Sequence, residues 1–562
     1  MDSTTLYDAE IVEFPIKPKR IERPRKIKSV TFLTLFKRWM WIILLISSVA
    51  QCIFFGTADN IFAIISVLLG WWLTEVYLLR TFIVHKYSLS ALLIFGYAFT
   101  QYCLPLIFTI TEGKPLVYNL KFPYQVFFHS IAAFLILIAA HWVYANWYTH
   151  AGGLRKQIQL VMIKYKFFTP PSDTQIWIIG FIGLIAILAK HAAFGGGEAE
   201  GMNSEQGGAA GKFLEGFIPF MYAPFFIMMK SMYMKSSPRI SKTLMYKMAF
   251  FTIALIAVGM LANSRGTFMK GITSLGITYL LGLLLGKFSY KIFKVKYIIL
   301  GGAAMWIVTG PLADLGTAMV VVRGLRSTVS GSELFYQTLE TYNNKAALEH
   351  YKKVTLENEF SSDWNEHYFD NIFLARFCNL KYNDASLEQS NKIGRIDPMI
   401  QQNSIDRFWS ILPQPVLSAL QINIDKKEVS ASSFGDYLFM RAGGGSALGG
   451  FRTGHFAGTG MAAFGWWYLL LLGIGIIPLY FFLDLFVIWK KRGNLKKYRT
   501  YISLAGLTPI TSYFMFLSLS SYSESVINIY TFLLRGCIQS LILYWLILYL
   551  SKKISYVLKV IL

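Results

Sequence analysis

The sequence predicts an all-α fold: a polytopic membrane helix bundle of about 12 transmembrane helices with one large, mainly helical external loop. Composition is the first observation behind this prediction, since 54% of the 562 residues are hydrophobic and 15% are charged, against about 25% charged in soluble domains. Apolar runs of about 20 residues, the length that crosses a bilayer, recur from Trp39 onward. Basic residues gather between these runs. One soluble core could not bury so many apolar segments.

The apolar runs divide the chain into four regions. Residues 1–38 hold nine Lys and Arg and no apolar run, which predicts a cytoplasmic basic tail that touches anionic lipid. Transmembrane helices 1–9 are predicted within 39–322, an external loop at 323–460, and helices 10–12 with a short cytoplasmic end within 461–562. The predicted spans are 39–56, 61–80, 88–110, 124–148, 174–194, 213–234, 245–262, 268–286, 297–316, 461–489, 500–520 and 526–550.

The distribution of charge orients these spans. The net charge is +23, but the external loop contains 14 Lys and Arg against 15 Asp and Glu, so the excess lies in tails and short connectors. With the N-terminus inside, 33 basic residues fall in cytoplasmic segments and five in the short outer connectors. This bias is the positive-inside pattern rather than a nucleic-acid patch. It predicts that both termini are cytoplasmic and that no nucleic acid is bound.

Cofactor motifs are not found in the sequence. The four cysteines are isolated, and there is no P-loop, HExxH or strand-to-helix GxGxxG. His350, Glu366, His367 and Asp370 have a spacing that fits no standard metal site. The sequence therefore predicts no metal and no cofactor, with energy taken from an activated substrate or a gradient.

Arginines on the predicted outer side are the most informative residues. Arg265, in the polar hairpin 263–266, follows Lys247 by 18 residues, or about 27 Å of helix, which places it at the level of the outer headgroups. Arg323 and Arg326 follow the ninth span, three residues apart. Arg441 and Arg452 approach the tenth span. Arginine can hold two phosphate oxygens at once, although an interfacial or solvated charge is the alternative for each of them.

Further polar residues accompany these arginines. Segment 443–460 has eight glycines in 18 residues and could bind an anion through its backbone N–H groups or be a flexible connector. His455 follows Arg452 by three residues and could act as a general base or bind a phosphate or sugar. Possible catalytic carboxylates, which are equally typical of solvated loop charges, are Glu333, Glu340, Asp406 and Asp436.

Charged residues within the spans are costly and so indicate partners or pathways. For Arg535, the deepest cation of the outer half, the sequence suggests a salt bridge with Glu215 or Asp314. Glu75 and the pair Lys190 and His191 are further residues of this kind in the predicted spans.

These features together resemble the O-antigen polymerases, a family of oligosaccharide repeat-unit polymerases related to the O-antigen ligases. The resemblance rests on a span ending in the Asn-Ser-Arg-Gly sequence at 263–266 and on a long external loop late in the chain. It also rests on the Gly-Gly-Phe-Arg sequence at 449–452, which leads into Ala-Phe-Gly-Trp at 463–466 and a span. It covers the layout of about two thirds of the chain but only some ten specific positions.

The resemblance implies a membrane glycosyltransferase that polymerises repeat units on undecaprenyl pyrophosphate at the outer face of a bacterial inner membrane, for lipopolysaccharide or exopolysaccharide. An acceptor hydroxyl would attack the anomeric carbon of the donor, and the lipid pyrophosphate would leave without metal or nucleotide. Arg265, Arg441 and Arg452 would hold the pyrophosphate, with Arg323 and Arg326 behind them. His455 would bind or deprotonate the acceptor hydroxyl, and Arg265 would share in catalysis. Expected partners are the lipid-linked oligosaccharides, membrane lipids and, as a possibility, a chain-length regulator protein.

Two alternatives remain open. A ligase of the O-antigen type would move the glycan to another lipid acceptor. A flippase or transporter of lipid-linked oligosaccharide would need about as many helices, but it is expected to have charged residues along a central cavity and short outer loops.

Overall fold

The computed structural model describes most of the chain from residue 31 onward. The ranges that it does not describe are 1–30, 151, 195–207, 235–240, 290–298, 300, 304–305, 308, 326–328, 362, 431, 446–447, 449–451, 493–496, 508–520 and 562. The fold is 78% helical with 2% strand. Within the described residues, nine helices are long and apolar enough to cross a membrane. The protein is therefore a helical membrane protein.

The first half of the chain forms helices α1 to α11. Helices α2 and α4 continue through π-helical turns at Thr74–Leu78 and Phe99–Cys103. Helix α9 continues through a 3-10 helix at Ile218–Met232. The helices are α1 (Phe32–Phe54), α2 (Ala58–Leu73), α3 (Thr81–Lys86), α4 (Ser88–Ala98), α5 (Leu104–Thr111), α6 (Pro123–His150), α7 (Gly152–Lys164), α8 (Asp173–Phe194), α9 (Gly208–Phe217), α10 (Lys242–Leu261) and α11 (Arg265–Leu284).

The second half contains shorter helices and one hairpin. These elements are α12 (Pro311–Val321), α13 (Gly331–Asn343), α14 (Lys345–Ser361), α15 (Ile372–Ala375), α16 (Leu380–Ile393), α17 (Pro398–Trp409), α18 (Gln414–Ala419), α19 (Lys426–Ser430), α20 (Phe434–Arg441), α21 (Phe456–Phe464), α22 (Trp467–Asp484), β1 (Val487–Arg492), β2 (Lys497–Ile502), α23 (Ser521–Glu524), α24 (Ile527–Thr531) and α25 (Cys537–Ile561).

Nine of the twelve predicted spans correspond to membrane-spanning helices. These are Phe32–Phe54, Ala58–Leu78, Ser88–Thr111, Pro123–Trp147, Asp173–Ala192, Phe213–Met232, Lys242–Leu261, Trp467–Asp484 and Ile527–Leu558. Predicted span 268–286 coincides with α11, of which Lys270–Leu284 is a shorter apolar helix. Predicted span 297–316 lies partly outside the described residues and ends in α12, which starts after Gly310.

Two predicted spans near the C-terminus differ from the structure. The span at 461–489 is broken at Gly465, whose φ of +56° ends α21, and its last residues enter β1. The span at 500–520 begins in β2, which pairs antiparallel with β1, and its residues 508–520 lie outside the described part. Bulky Val, Ile, Trp and Tyr side chains suit strands as well as membrane helices, which explains why hydropathy alone missed the hairpin.

Polar contacts place most of the long loop on one side of the bundle. Lys121 and Phe122, just before α6, donate backbone hydrogen bonds to Asp384 of α16 at 2.9 and 2.8 Å. Lys114, just after α5, forms a 2.6 Å ion pair with Asp370. The loop side of the bundle therefore contains the end of α5 and the starts of α6, α22 and α24. The helical character predicted for the loop is correct, and no contact tests whether this side is external.

The opposite end of the bundle carries the hairpin and a buried hydrogen-bond chain. Thr500 of β2 contacts His85 Nδ1 at 2.9 Å. Nearby, the Tyr77 hydroxyl lies 2.8 Å from His141 Nδ1, and His141 Nε2 lies 3.1 Å from Ser90 Oγ. Ser90 Oγ donates to Asp484 at 2.6 Å. A run of long-range side-chain bonds thus ties α2, α4, α6 and α22 together.

Candidate functional site

The segment 452–455, just before α21, is held by side chains from three different elements. The backbone N–H of Arg452 donates to Asp436 of α20 at 3.1 Å, and that of Thr453 donates to Glu366 at 2.8 Å. The N–H of His455 donates to Ser386 of α16 at 2.8 Å. Such extended backbone would otherwise carry unpaired N–H groups in a buried place. The sequence here is fixed in position rather than a flexible connector.

A close approach requires glycine in this segment. A Cβ at Gly454 would lie 3.1 Å from Glu524 Cγ and 3.1 Å from the Gly435 nitrogen. A Cβ at Gly435 would lie 2.4 Å from the Arg452 carbonyl oxygen. Two backbones therefore cross without side chains between them, which brings Arg452 to the N-terminus of α20.

Arg452 is oriented by a carboxylate and an aromatic ring. Its Nη1 lies 3.1 Å from the fully buried Asp436, and its guanidinium lies 4.1 Å from the centroid of Phe439. Its side chain retains 23% exposure. The guanidinium is thus held in a fixed orientation in a partly exposed side chain, as an anion-binding arginine would be.

A second carboxylate and a second arginine, Glu524 and Arg407, lie close to Asp436. Glu524 accepts the N–H of Phe434 at 2.7 Å at the N-terminus of α20. Burial raises the pKa of Glu524, and the neighbouring Asp436 adds to this rise, whereas Arg407 opposes it. Arg407 donates to the carbonyl oxygen of Ser432 at 2.6 Å, and burial lowers its pKa. Glu524 and Arg407 thus add one carboxyl group and one guanidinium group beside α20.

His455 is a buried residue with contacts on both ring nitrogens. Nδ1 accepts the N–H of Ala457 at 3.2 Å, capping α21, and Nε2 lies 3.2 Å from the side-chain amide of Gln101. The amide nitrogen of Gln101 is the atom next to His455 Nε2, and the Gln101 amide oxygen accepts from Ser130 Oγ at 3.3 Å. Burial lowers the pKa of His455 to about 3. These contacts suit a residue that positions segment 452–455, and they leave neither nitrogen open to a hydroxyl.

Helix α16 is polar in sequence but buried throughout 380–390. Its Lys381 and Asp384 form a 2.8 Å ion pair with 4% and 0% side-chain exposure. Glu388 forms a 2.5 Å ion pair with Lys121. The helix lies between α6 and α21 and supplies Ser386 to segment 452–455. Through Ser386, helix α16 therefore helps to hold segment 452–455 in place.

The other predicted arginines lie in different surroundings. Arg441 binds Asp397 through Nε at 3.1 Å and Nη2 at 2.7 Å. Burial lowers the pKa of Arg323, and Arg376 nearby acts in the same direction, so two guanidinium groups adjoin there. Arg326 lies outside the described residues. Arg441 and Arg452 bind different carboxylates, and the role of the five predicted arginines in phosphate binding stays a prediction.

The turn at 263–266 has an unusual buried amide. Asn263 has a φ of +43°, which Asn tolerates better than most residues, and it is 2% exposed. Its Nδ2 and Oδ1 both have no hydrogen-bond partner among the described residues. Arg265 begins α11; its side chain is outside the described part. A polar group buried without partners costs about 1–3 kcal/mol, so this amide is a candidate ligand contact.

Several predicted pairings turn out differently. Lys190 lies 3.5 Å from Glu215, and Asp314 lies 2.9 Å from both Lys345 and Lys352. The suggested salt bridge of Arg535 with Glu215 or Asp314 is not found among the described residues, where the ion pairs of both carboxylates are with lysines. Glu75 accepts from Trp41 Nε1 at 2.5 Å and lies 3.7 Å from Lys37.

The structure also shows contacts of several possible metal ligands and catalytic carboxylates. Glu366 binds the N–H of Thr453, and His367 Nε2 lies 3.7 Å from Asp370. Among the described residues, no group of three or more His, Cys, Asp or Glu side chains could hold a metal ion. Glu333 lies in the first turn of α13, where its side chain accepts from Gln337 at 3.0 Å, and Asp406 accepts from Gln402 at 2.8 Å. Of the candidate carboxylates, Asp436 belongs to the site.

Sequence reasoning missed Glu524, Arg407 and the ion pairs of α16. Glu524 lies in the short polar gap before the last span, and that position was its only available signal. Arg407 and α16 gave no signal, since a polar helix in a polar loop is ordinarily solvated.

Fold and site define a helical membrane protein with a buried polar layer beside the ends of its spans. No protein-family model, curated protein or solved structure matches the chain.

Proposed function

We propose that this protein is a membrane glycosyltransferase that polymerises oligosaccharide repeat units carried on undecaprenyl pyrophosphate. The loop side of the bundle would face the outside of a bacterial inner membrane. The donor would be the growing glycan on its lipid carrier, and the acceptor would be a single lipid-linked repeat unit. Neither metal nor nucleotide is part of this proposal.

The buried amide of Asn263 is the observation that carries the proposal. It lies beside the N-terminus of α11, where Ser264 is the N-cap without a side-chain capping bond among the described residues. Free backbone N–H groups and the helix dipole favour an anion at such a place, and Arg265 is the first residue of the helix. A pyrophosphate oxygen would satisfy the amide nitrogen, while the amide oxygen could accept a sugar hydroxyl.

Arg452 supports the proposal independently. Its side chain is 23% exposed and its guanidinium is held by Asp436 and Phe439, so binding would cost little side-chain entropy. A fixed arginine can stabilise the charge that develops on a leaving pyrophosphate. His455 and Ser386 would hold the backbone behind it. In this arrangement His455 is a positioning residue, and its predicted role as a base is not part of the proposal.

The charges within the spans favour this reading over a transporter. In the nine membrane-spanning helices, every Asp, Glu, Lys and Arg except Arg535 lies within about two turns of a span end. A transporter is expected to carry polar groups near the middle of the membrane. Here the buried ionic groups are instead concentrated in the loop and beside span ends.

The fate of lipid-linked glycans in cells that lack the protein tests the function. We expect single repeat units to accumulate on the outer leaflet. Full-length polymer on the carrier would instead indicate a ligase, and units trapped on the inner leaflet would indicate a flippase; either result would overturn the proposal.

The Asn263→Gly variant tests the site itself. Glycine accepts the φ of +43° but removes the amide, so polymerisation should fall at least about tenfold, equivalent to about 1.4 kcal/mol, while the unfolding temperature stays close to that of the parent. The control is Asn391→Gly in the exposed end of α16. Equal activities of the two variants would remove Asn263 from the substrate site.

A further inference from the structure

Residues 408–424 form a stretch of the polar loop without any charged residue, between Arg407 and Asp425. The stretch contains the end of α17 and the short helix α18. Leu417 is fully buried, but Val416 and Leu420 are 41% and 53% exposed. An uncharged segment of this length with exposed aliphatic side chains is unusual in contact with water.

Helix α17 also exposes apolar side chains. The side that faces the protein includes the buried Ile400 and Ser404 and the part-buried Arg407, which is held by Ser432. The exposed side includes Met399 and Ile405. A water-facing helix normally keeps its apolar residues on the inward side, whereas α17 has them on both sides.

Polar residues on that exposed side do not remove the pattern. Gln402 and Asp406 hydrogen-bond to each other at 2.8 Å, so part of their hydrogen-bonding capacity is already satisfied. Trp409, at the end of the helix, is partly exposed. Tryptophan is typical of the boundary between membrane and water.

The position of this region beside the spans indicates what covers it. Ile396, just before α17, lies 3.3 Å from the position of a Cβ on Gly465. The next residues, Trp466 and Trp467, are exposed and begin the span Trp467–Asp484. Helix α17 also packs against α24, the start of the last span. The exposed apolar side chains thus continue the lipid-facing surface of two spans.

We propose that residues 408–424, together with the exposed side of α17, lie in the lipid headgroup and upper acyl region on the loop side of the membrane. The ion pair of Asp397 with Arg441 and the hydrogen bond of Arg407 to Ser432 hold the segment to the protein, and its apolar side chains enter the bilayer. The partner is a lipid surface, and the inference does not depend on the reaction that the protein catalyses.

Depth-dependent fluorescence quenching tests this placement. A Leu420→Cys variant, with the exposed Cys52 replaced by serine, is labelled with an environment-sensitive fluorophore and reconstituted in vesicles of phosphatidylethanolamine and phosphatidylglycerol. We expect strong quenching by lipids that carry a doxyl group near the headgroup, and protection from aqueous iodide. The control label is at Asp363→Cys, which lies in the same loop with 76% side-chain exposure and should show the reverse.

Two outcomes would overturn the proposal. If the label at Leu420 is quenched by iodide as strongly as the label at Asp363, the segment faces water. If it is protected from both quenchers, a second copy of the chain or another protein covers it. A label at Val416→Cys repeats the measurement where the first variant folds poorly.

Discussion

The two ends of the helix bundle bury polar groups in different ways. On the loop side, buried carboxylates bind cations: Asp384 pairs with Lys381, and Asp436 pairs with Arg452. At the opposite end, Asp484 accepts hydrogen bonds from neutral donors. These are the backbone N–H groups of Leu89 and Ser90 at 3.3 Å each, the Ser90 hydroxyl at 2.6 Å and the Tyr144 hydroxyl at 3.1 Å.

The two ends therefore differ in role. The contacts of Asp484 are structural, whereas the loop side is suited to charged ligands. Asp484 serves as a distant N-terminal cap of α4, and the donors that it binds belong to α4 and α6. The loop side instead keeps a partly open arginine and a buried amide without partners among the described residues. Charges that are balanced but not fully enclosed can exchange contacts with an anionic substrate. This difference supports the loop side as the place of the proposed reaction.

The largest expected effect is on stability and compares two equivalent substitutions. Asp384→Asn breaks a buried ion pair and leaves Lys381 uncompensated, which typically costs about 3–5 kcal/mol. Asp484→Asn keeps an acceptor for the two N–H groups, and the Ser90 and Tyr144 hydroxyls can rotate to accept from the new amide, so the loss should be about 1 kcal/mol. Thermal unfolding of both variants in detergent measures the difference. A greater loss for Asp484→Asn would reverse our comparison of the two ends.

The next effect is on activity and concerns the arginines. Arg265→Lys and Arg452→Lys keep the charge but lose the planar fork that holds two phosphate oxygens. A loss of about 2 kcal/mol in transition-state stabilisation corresponds to roughly a thirtyfold lower rate. Arg395→Lys, an exposed arginine of the same loop, is the matched control. Rates within a factor of two of the parent for either variant would remove that arginine from the site.

A smaller effect concerns pH and His455. Because burial lowers the pKa of His455 from 6.5 to about 3, the unfolded chain binds a proton in this range that the folded protein does not bind. Stability should therefore fall as pH decreases from 6.5 toward 3. His455→Gln removes this contribution, so its unfolding temperature should depend less steeply on pH than that of the parent. Equal slopes would show that His455 is already protonated in the fold.

The smallest effect concerns the ion pair of Asp397 with Arg441 in the loop. Burial acts to raise the pKa of Asp397, but hydrogen bonds from Arg441 and from the N–H groups of Ile400 and Met399 outweigh it and lower the pKa. The stabilisation is present above the ordinary pKa of 3.8 and is lost as pH falls through the lower folded value. Asp397→Asn should lower the unfolding temperature slightly near neutral pH, and the difference should shrink in acid. A difference that grows in acid would contradict this.

Hydropathy predicted most of the spans because lipid-facing helices need long apolar runs, whatever their neighbours are. It failed at β1 and β2, where the hairpin depends on pairing between two segments. It also missed the burial of α16: Lys381, Asp384 and Glu388 are polar, and only their partners in the fold make burial tolerable. Asp436 was among the possible catalytic carboxylates, whereas Glu524 depends on the N-terminus of α20, which no local pattern reveals.

Glycan length after incubation of the purified protein tests the central claim most directly. The protein is reconstituted with lipid-linked repeat units alone, in excess chelator and without nucleotide or ion gradient, and the products are measured by mass spectrometry. We expect glycans of several repeat units to form, and the Arg452→Lys variant to form them about thirtyfold more slowly. Unchanged glycan length, or elongation only after a divalent metal, a nucleotide or a gradient is supplied, would contradict the account.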